Sequence, residues 1–223
     1  ITLTVNGVVD GWRVPATGLA QRALYEANLD SLIRLVSPGH RMLSVQRVYA
    51  DGSRRTADCE LTSAITPEVW GNTAGRVSLE FSVPGSFWRD ADVRSYRTAY
   101  SVAGADAQTV EVYSLAGQTA PCADSVVTVT GPCTSVTVRD ALTGSGFSYG
   151  ALTSGQDLVV DAGAFSATKA SVSVLTDLTL YDGQLLEISP APRTDTGPSL
   201  DITAPGKSGV FKVVVSARRS WLR

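Results

Sequence analysis

From Ser125 onward the chain is a succession of short alternating runs separated by turn residues, with no helical run among them. The runs are 125–130, 134–139, 146–150, 156–161, 170–175, 178–181, 185–188, 199–203 and 209–217. Apolar residues recur at every second position within several of these runs, so each presents one apolar and one polar face. Strands this short, and this many, bury their apolar faces by stacking two antiparallel sheets. The pattern therefore predicts a β-sandwich.

The first half has another texture. A single amphipathic helix is predicted from Leu19 to Val36, capped by Thr17 or Thr17-Gly18 and stopped by Ser37-Pro38-Gly39. At 100° per residue, Ala20, Leu24, Ala27, Leu29, Leu32, Leu35 and Val36 share one broad arc, with Asn28 inside it read as a buried amide. Arg22, Glu26, Asp30 and Arg34 occupy the opposite side. Asn6-Gly7 predicts a hairpin of 2–5 with 8–14, and Asp51-Gly52 a second of 43–50 with 53–61. Arg76 to Val83 reads as a strand with Val77, Leu79, Phe81 and Val83 facing one way, halted by Pro84-Gly85. Residues 96–102 and 108–114 read as a pair around Ala103–Asp106. Residues 116–124 lack apolar periodicity and read as a linker. A boundary near 120 follows, with an α+β domain at 1–120 and an all-β domain at 121–223.

Composition narrows the chemistry. The 223 residues hold 19 basic and 21 acidic side chains, a net charge of -2, which argues against a nucleic-acid binder that works by overall charge. His40 is the only histidine, so a mechanism using two imidazoles or a His-rich metal site is excluded. It is read as an exposed loop side chain. Cys59, Cys122 and Cys133 have no C-x-x-C spacing, and buried free thiols are preferred over a Cys122–Cys133 disulfide or a zinc site. Gly146-Phe147-Ser148-Tyr149-Gly150 matches G-x-S-x-G, but no helical run follows and no histidine lies later in the chain, so it reads as a glycine-flanked strand. Asp90 and Asp92 fall on one face of a strand without the surrounding pattern of a calcium loop. Most other acids sit in turns, where backbone chemistry accounts for them. No catalytic, cofactor or metal residues are assigned. No run approaches the length of a membrane-spanning helix. The first residue is Ile and the only methionine is Met42, so residues are expected upstream of Ile1.

The order of elements resembles a known family. The helix Arg22–Val36, the Asp51-Gly52 hairpin and the segment Arg76-Val-Ser-Leu-Glu-Phe-Ser-Val-Pro-Gly-Ser-Phe-Trp88 come first. Val127-Thr-Val-Thr-Gly-Pro132, Leu158-Val-Val-Asp161, Thr203-Ala-Pro-Gly206, Val210–Val215 and Arg218-Arg-Ser-Trp-Leu222 follow. This succession is similar to the distal tail (Dit-like) and related minor tail proteins of long-tailed bacteriophages, especially those of actinobacterial hosts. The resemblance implies a mainly β (α+β) chain: a β-barrel-like N-terminal domain with one helix, then a galectin-like β-sandwich. It implies a ring, commonly a hexamer, at the tail tip of the virion, assembled in the host cytoplasm. The tail tube protein would lie above it and the tip or hub proteins below, with DNA passing through its channel without specific binding. No enzyme activity and no cofactor are implied. Phe87 and Trp88, which follow a Pro-Gly break, are read as interface anchors, and Arg89 and Arg94 as mixed-charge contacts between subunits. The alternative is a carbohydrate-binding sandwich acting in adhesion to the host surface, with Tyr149 or Tyr181 at the sugar.

Overall fold

The computed structural model describes residues 2–10, 18–36, 42–70, 74–85, 87–193 and 195–222. Trp12, Thr17, the Ser37–Gly39 stop and His40 lie outside these residues. The chain is mainly β and forms two compact units, Ile1–Phe87 and Trp88–Arg223. The division therefore falls more than thirty residues before the expected boundary near 120.

The first unit contains β1 (Thr2–Asp10), α1 (Gly18–Val36), β2 (Leu43–Val48), β3 (Arg54–Leu61), β4 (Thr66–Trp70) and β5 (Ala74–Ser82). β5 is the central strand. β1 pairs with it along nine residues, from Thr2 opposite Ser82 to Asp10 opposite Ala74. β4 and the end of β3 share its other edge. The hairpin expected at Asn6-Gly7 is not formed, because both residues are ordinary ladder positions opposite Ser78 and Val77. A full-length partner strand offers more backbone hydrogen bonds than a local turn, and it overrides the turn preference of the dipeptide. The second hairpin does form. β2 pairs with β3 from Leu43 opposite Cys59 to Val48 opposite Arg54, and Gly52 adopts φ +81° in the turn. A positive φ is the conformation for which glycine is suited there.

Val77, Leu79, Phe81 and Val83 are buried, as the alternation predicts, together with Ala57 and Cys59 of β3. Tyr25 of α1 approaches β5 at Gly75, where an added Cβ would stand 2.6 Å from the Tyr25 hydroxyl and 2.9 Å from the Glu68 carbonyl oxygen. Glycine at 75 is what lets the helix come this close.

The second unit is a two-layer antiparallel sandwich. Its strands are β6 (Trp88–Asp90), β7 (Arg94–Arg97), β8 (Ala107–Glu111), β9 (Val126–Thr130), β10 (Val136–Asp140), β11 (Gly146–Tyr149), β12 (Asp157–Asp161), β13 (Ser166–Lys169), β14 (Val172–Ser173), β15 (Thr179–Tyr181), β16 (Ser199–Thr203), β17 (Lys212–Ala217) and β18 (Ser220–Trp221). One sandwich sheet has the order β15-β11-β10-β16-β8, the other β14-β13-β12-β9-β17-β7, and β6 and β18 pair with each other outside these two. Val136, Val138, Phe147, Leu200 and Ile202 of the first share one core with Val127, Val129, Leu158, Val160, Val213 and Val215 of the second. Burying each such side chain contributes roughly 1.5–3 kcal/mol before entropy is counted.

Two expectations fail here for one reason, which is pairing between residues distant in sequence. Residues 96–102 and 108–114 do not form a hairpin: β7 pairs with β17 in one sheet and β8 with β16 in the other. The stretch 116–124 is no linker. Ala120 and Cys122 are fully buried and form bridges to Ser220 and Ile188. Residues 88–120 therefore belong to the sandwich unit. Within it, 170–175 shifts to β13, β14 and a 3-10 turn at Leu175–Asp177, and of 185–188 only Ile188 makes a bridge, to Cys122.

Candidate functional site

The segment singled out in the sequence, 87–94, is held by the far end of its own chain. Trp88 lies opposite Trp221 in the β6–β18 ladder and is 7% exposed, while Phe87 is half-buried. Asp90 is buried. Its Oδ2 accepts from Arg219 Nε at 2.7 Å and its Oδ1 from Trp221 Nε1 at 2.8 Å. Arg94 stands 3.6 Å from the same carboxylate. Beside it, Asp124 Oδ2 accepts from Arg89 Nη1 at 2.9 Å and from Arg218 Nη2 at 2.7 Å. Burial pushes the Asp124 carboxyl up, but hydrogen bonds from Arg218, Arg89 and Cys122 together outweigh it and hold the group below its ordinary value. The Cys122 thiol, donating to Asp124 Oδ1 at 3.3 Å, is pushed up to about 12 by burial and then by that carboxylate. A thiol so raised is a packing group rather than a nucleophile.

These contacts make 88–94 a clasp joining the start of the second unit to its end. Trp88 has little surface left for a neighbouring subunit, and Arg89 is engaged with Asp124. Trp88, expected as an interface anchor, and Arg89, expected as a mixed-charge contact between subunits, are thus both engaged within their own chain. Arg94, with nearly half its side chain exposed, keeps the outer position. Asp90 and Asp92 do not share a strand face, since β6 ends at Asp90 and Asp92 lies exposed in a bend.

Ser148 sits in the middle of β11, opposite Thr137 and Thr179. A nucleophile elbow requires a sharp turn between strand and helix, and this serine is not on one. Tyr149 is buried, which removes it from any sugar-binding surface. All three cysteines are buried and free. Among the described residues no group of three or more His, Cys, Asp or Glu is arranged to hold a metal ion, and no helix is long and apolar enough to cross a membrane.

Two surfaces remain as candidates. The first lies on the N-terminal unit. Within 22–36 of α1, Tyr25 and Val36 are buried, Leu24, Leu29, Leu32 and Ile33 are half-buried, and Asn28, expected to be buried, is exposed. Tyr25 and Val36, at i and i+11, lie on one side of the helix, and Leu35 is turned about 100° from Val36. Leu35 is 69% exposed, and Met42 and Val48 are 47% and 62% exposed. Among the described residues, β1 is hydrogen-bonded along one edge only, to β5. Uncovered apolar side chains and an open strand edge are each features that association covers.

The second candidate is the outer face of the sheet containing β8 and β15. Register places Thr109, Asp201, Arg139, Gly146 and Tyr181 in one row across five strands. Thr109 donates to Asp201 Oδ1 at 2.6 Å. Arg139 donates Nε to the Gly144 carbonyl at 2.9 Å and stacks on Tyr181, 4.4 Å from the ring centre. Arg139 and Asp201 are register neighbours of opposite charge, yet no ion pair joins them. They flank a shallow depression of about 390 Å³ lined also by Thr137 and Thr203. Alternating polar residues in 134–139 and 199–203 hint at this face in the sequence, but which strands stand side by side is visible only in the fold.

Comparison with protein-family models and with curated proteins finds no match for this chain.

Proposed function

We propose that the chain is a structural subunit of a homo-oligomeric ring, of the distal tail type, at the tail tip of a long-tailed bacteriophage virion. One observation carries the reading. Among the described residues, the N-terminal unit leaves Leu35, Met42 and Val48 uncovered and one edge of a nine-residue strand without a partner strand. A closed ring covers such surfaces by repetition of one heterologous contact. The order of elements along the chain supports placing the ring between tail tube and tip proteins, with DNA passing through it; six subunits is the family expectation. Light scattering on the full chain tests the proposal. A ring mass is expected, and Leu35→Asp is expected to reduce it to one chain with the sandwich still folded. A wild-type protein that stays a single chain at high concentration rejects the reading.

The row Thr109–Asp201–Arg139–Tyr181 favours a second reading, binding of a neutral saccharide at the sandwich. A carboxylate and a guanidinium held apart on a rigid face suit a pair of neighbouring sugar hydroxyls. Calorimetry with glucose, galactose and mannose at millimolar concentrations is expected to give saturable heats that Asp201→Asn abolishes. Heats unchanged by that substitution exclude the site.

A further inference from the structure

Glu111 ends β8 opposite Ser199, whose carbonyl accepts from the Ala141 amide at 3.0 Å. Between this row and the proline-containing segments Ser189–Pro192 and Thr196–Pro198 lies a pocket of about 250 Å³. Its walls are fixed on both sides. Ser189 donates its amide to Asp140 Oδ1 at 3.1 Å, and Val112 donates to the Pro198 carbonyl at 2.8 Å. Gly197 presses against the chain at 112, where an added Cβ would stand 2.5 Å from the Val112 carbonyl oxygen.

The lining is largely apolar and short of hydrogen-bond donors. Pro190, Pro192 and Pro198 carry no N–H. The amides of Ala141, Leu142 and Ser189 are spent on Ser199 and Asp140, and the Thr196 hydroxyl donates to the Arg193 carbonyl. The charged groups of the lining are two carboxylates, with no basic side chain beside them. Asp140 is supplied by the amides of Ser189, Leu142 and Thr143 and by the Thr143 hydroxyl. Glu111 is not so supplied. Its one contact is with Tyr113, whose phenol is pushed up by a hydrogen bond to Glu111 and by that carboxylate's charge. A carboxylate has about four acceptor positions, so most remain to be filled. Asp201 stands diagonal to Glu111 across the strand pair, and Arg139 beyond it is stacked on Tyr181. Arg193 and Asp195, exposed in the same loop, are opposite in sign.

We infer that this pocket takes the side chain of a lysine from a partner protein, with the ammonium group on Glu111 and the aliphatic stem against Pro190, Pro192 and Pro198. A half-buried carboxylate among apolar walls gains most from a cation that donates to it, and a lining poor in donors has little to offer an anion. A lysine stem covers apolar surface while its head stays with the charge. A guanidinium would bring five donors and leave most of them facing proline rings. The exposed Leu142 and Pro192 of the lining offer apolar surface to the polypeptide that carries the lysine.

Saturation-transfer NMR on the full chain tests this, with a blocked five-residue peptide carrying one central lysine as the probe. Millimolar binding is expected. Replacing the lysine by norleucine or by Nε-acetyl-lysine is expected to weaken it about tenfold, and Glu111→Gln in the protein to do the same. Leu142→Ala is expected to weaken the peptide and leave n-butylammonium unchanged. Asp182→Asn removes an exposed acid after β15, at the opposite edge of the sheet from β8, and is expected to change nothing. Circular dichroism reports the folding of each variant, and the comparison of lysine with Nε-acetyl-lysine on the wild-type protein needs no variant to fold. Binding that survives Glu111→Gln, or that falls equally in Asp182→Asn, overturns the inference. So does tighter binding of the same peptide with arginine at its centre. If n-butylammonium binds as tightly as the peptide, the ligand is a free amine and the partner protein is rejected.

Discussion

The two units bury their side chains to different degrees. In the sandwich, Phe147, Phe211, Leu158, Ile188, Leu200 and Ile202 are all fully or almost fully enclosed, and the clasp of Asp90 and Asp124 fastens the first strand to the last. The N-terminal unit has a small sealed patch under β5, and around it a helix with four half-buried aliphatic side chains. A sandwich closes its core with its own two sheets, so its stability depends on no other molecule. A single sheet with one helix has one covered face and leaves apolar surface over. One half of the molecule is thus a closed sandwich, while the described residues of the other include exposed apolar side chains of the kind the proposed ring would cover.

Phe147→Ala is expected to lower the unfolding free energy of the sandwich by about 3–5 kcal/mol, measured by denaturant titration, at every protein concentration. The same truncation at Phe81, in the N-terminal unit, is expected to give a melting temperature that rises with concentration, since binding a neighbour stabilises that unit by mass action. A concentration-independent result at Phe81 removes the contrast.

Asp90→Ala strips Arg219 and Trp221 of their shared acceptor and is expected to cost about 2 kcal/mol, between the range for a buried pair and that for a surface one. The loss belongs to the sandwich transition alone. Asp124 provides a smaller, pH-dependent effect. Its folded pKa lies below the unfolded value of about 3.9, so its contribution is fully present above that value and lost as pH falls through the folded pKa. The stability gap between wild type and Asp124→Asn is therefore expected to be widest at neutral pH and to narrow below about pH 4. A gap that widens on acidification contradicts the assignment of Arg89 and Arg218 as its partners.

Local signals were legible in the sequence, and long-range pairing was not. The helix from Gly18 to Val36, the Asp51-Gly52 turn, the alternation of Val77 to Val83 and the strand at Ser199–Thr203 follow from periodicity and turn chemistry. The errors at Asn6-Gly7, at 96–114 and at 116–124 share one cause. In each case the partner strand lies far off along the chain, and a local pattern carries no information about it. The same limit applies to the site residues. Trp88 and Arg89 after a Pro-Gly break look exposed until Trp221, Arg218 and Asp124 are placed beside them.

Hydrogen–deuterium exchange of the full chain at increasing protein concentration bears most directly on the claim that the N-terminal unit is completed by copies of itself. Protection of α1 and β1 is expected to rise with concentration, while β9, β12 and β17 of the sandwich stay equally protected throughout. Full protection of α1 and β1 in a dilute sample whose mass is that of one chain would contradict it.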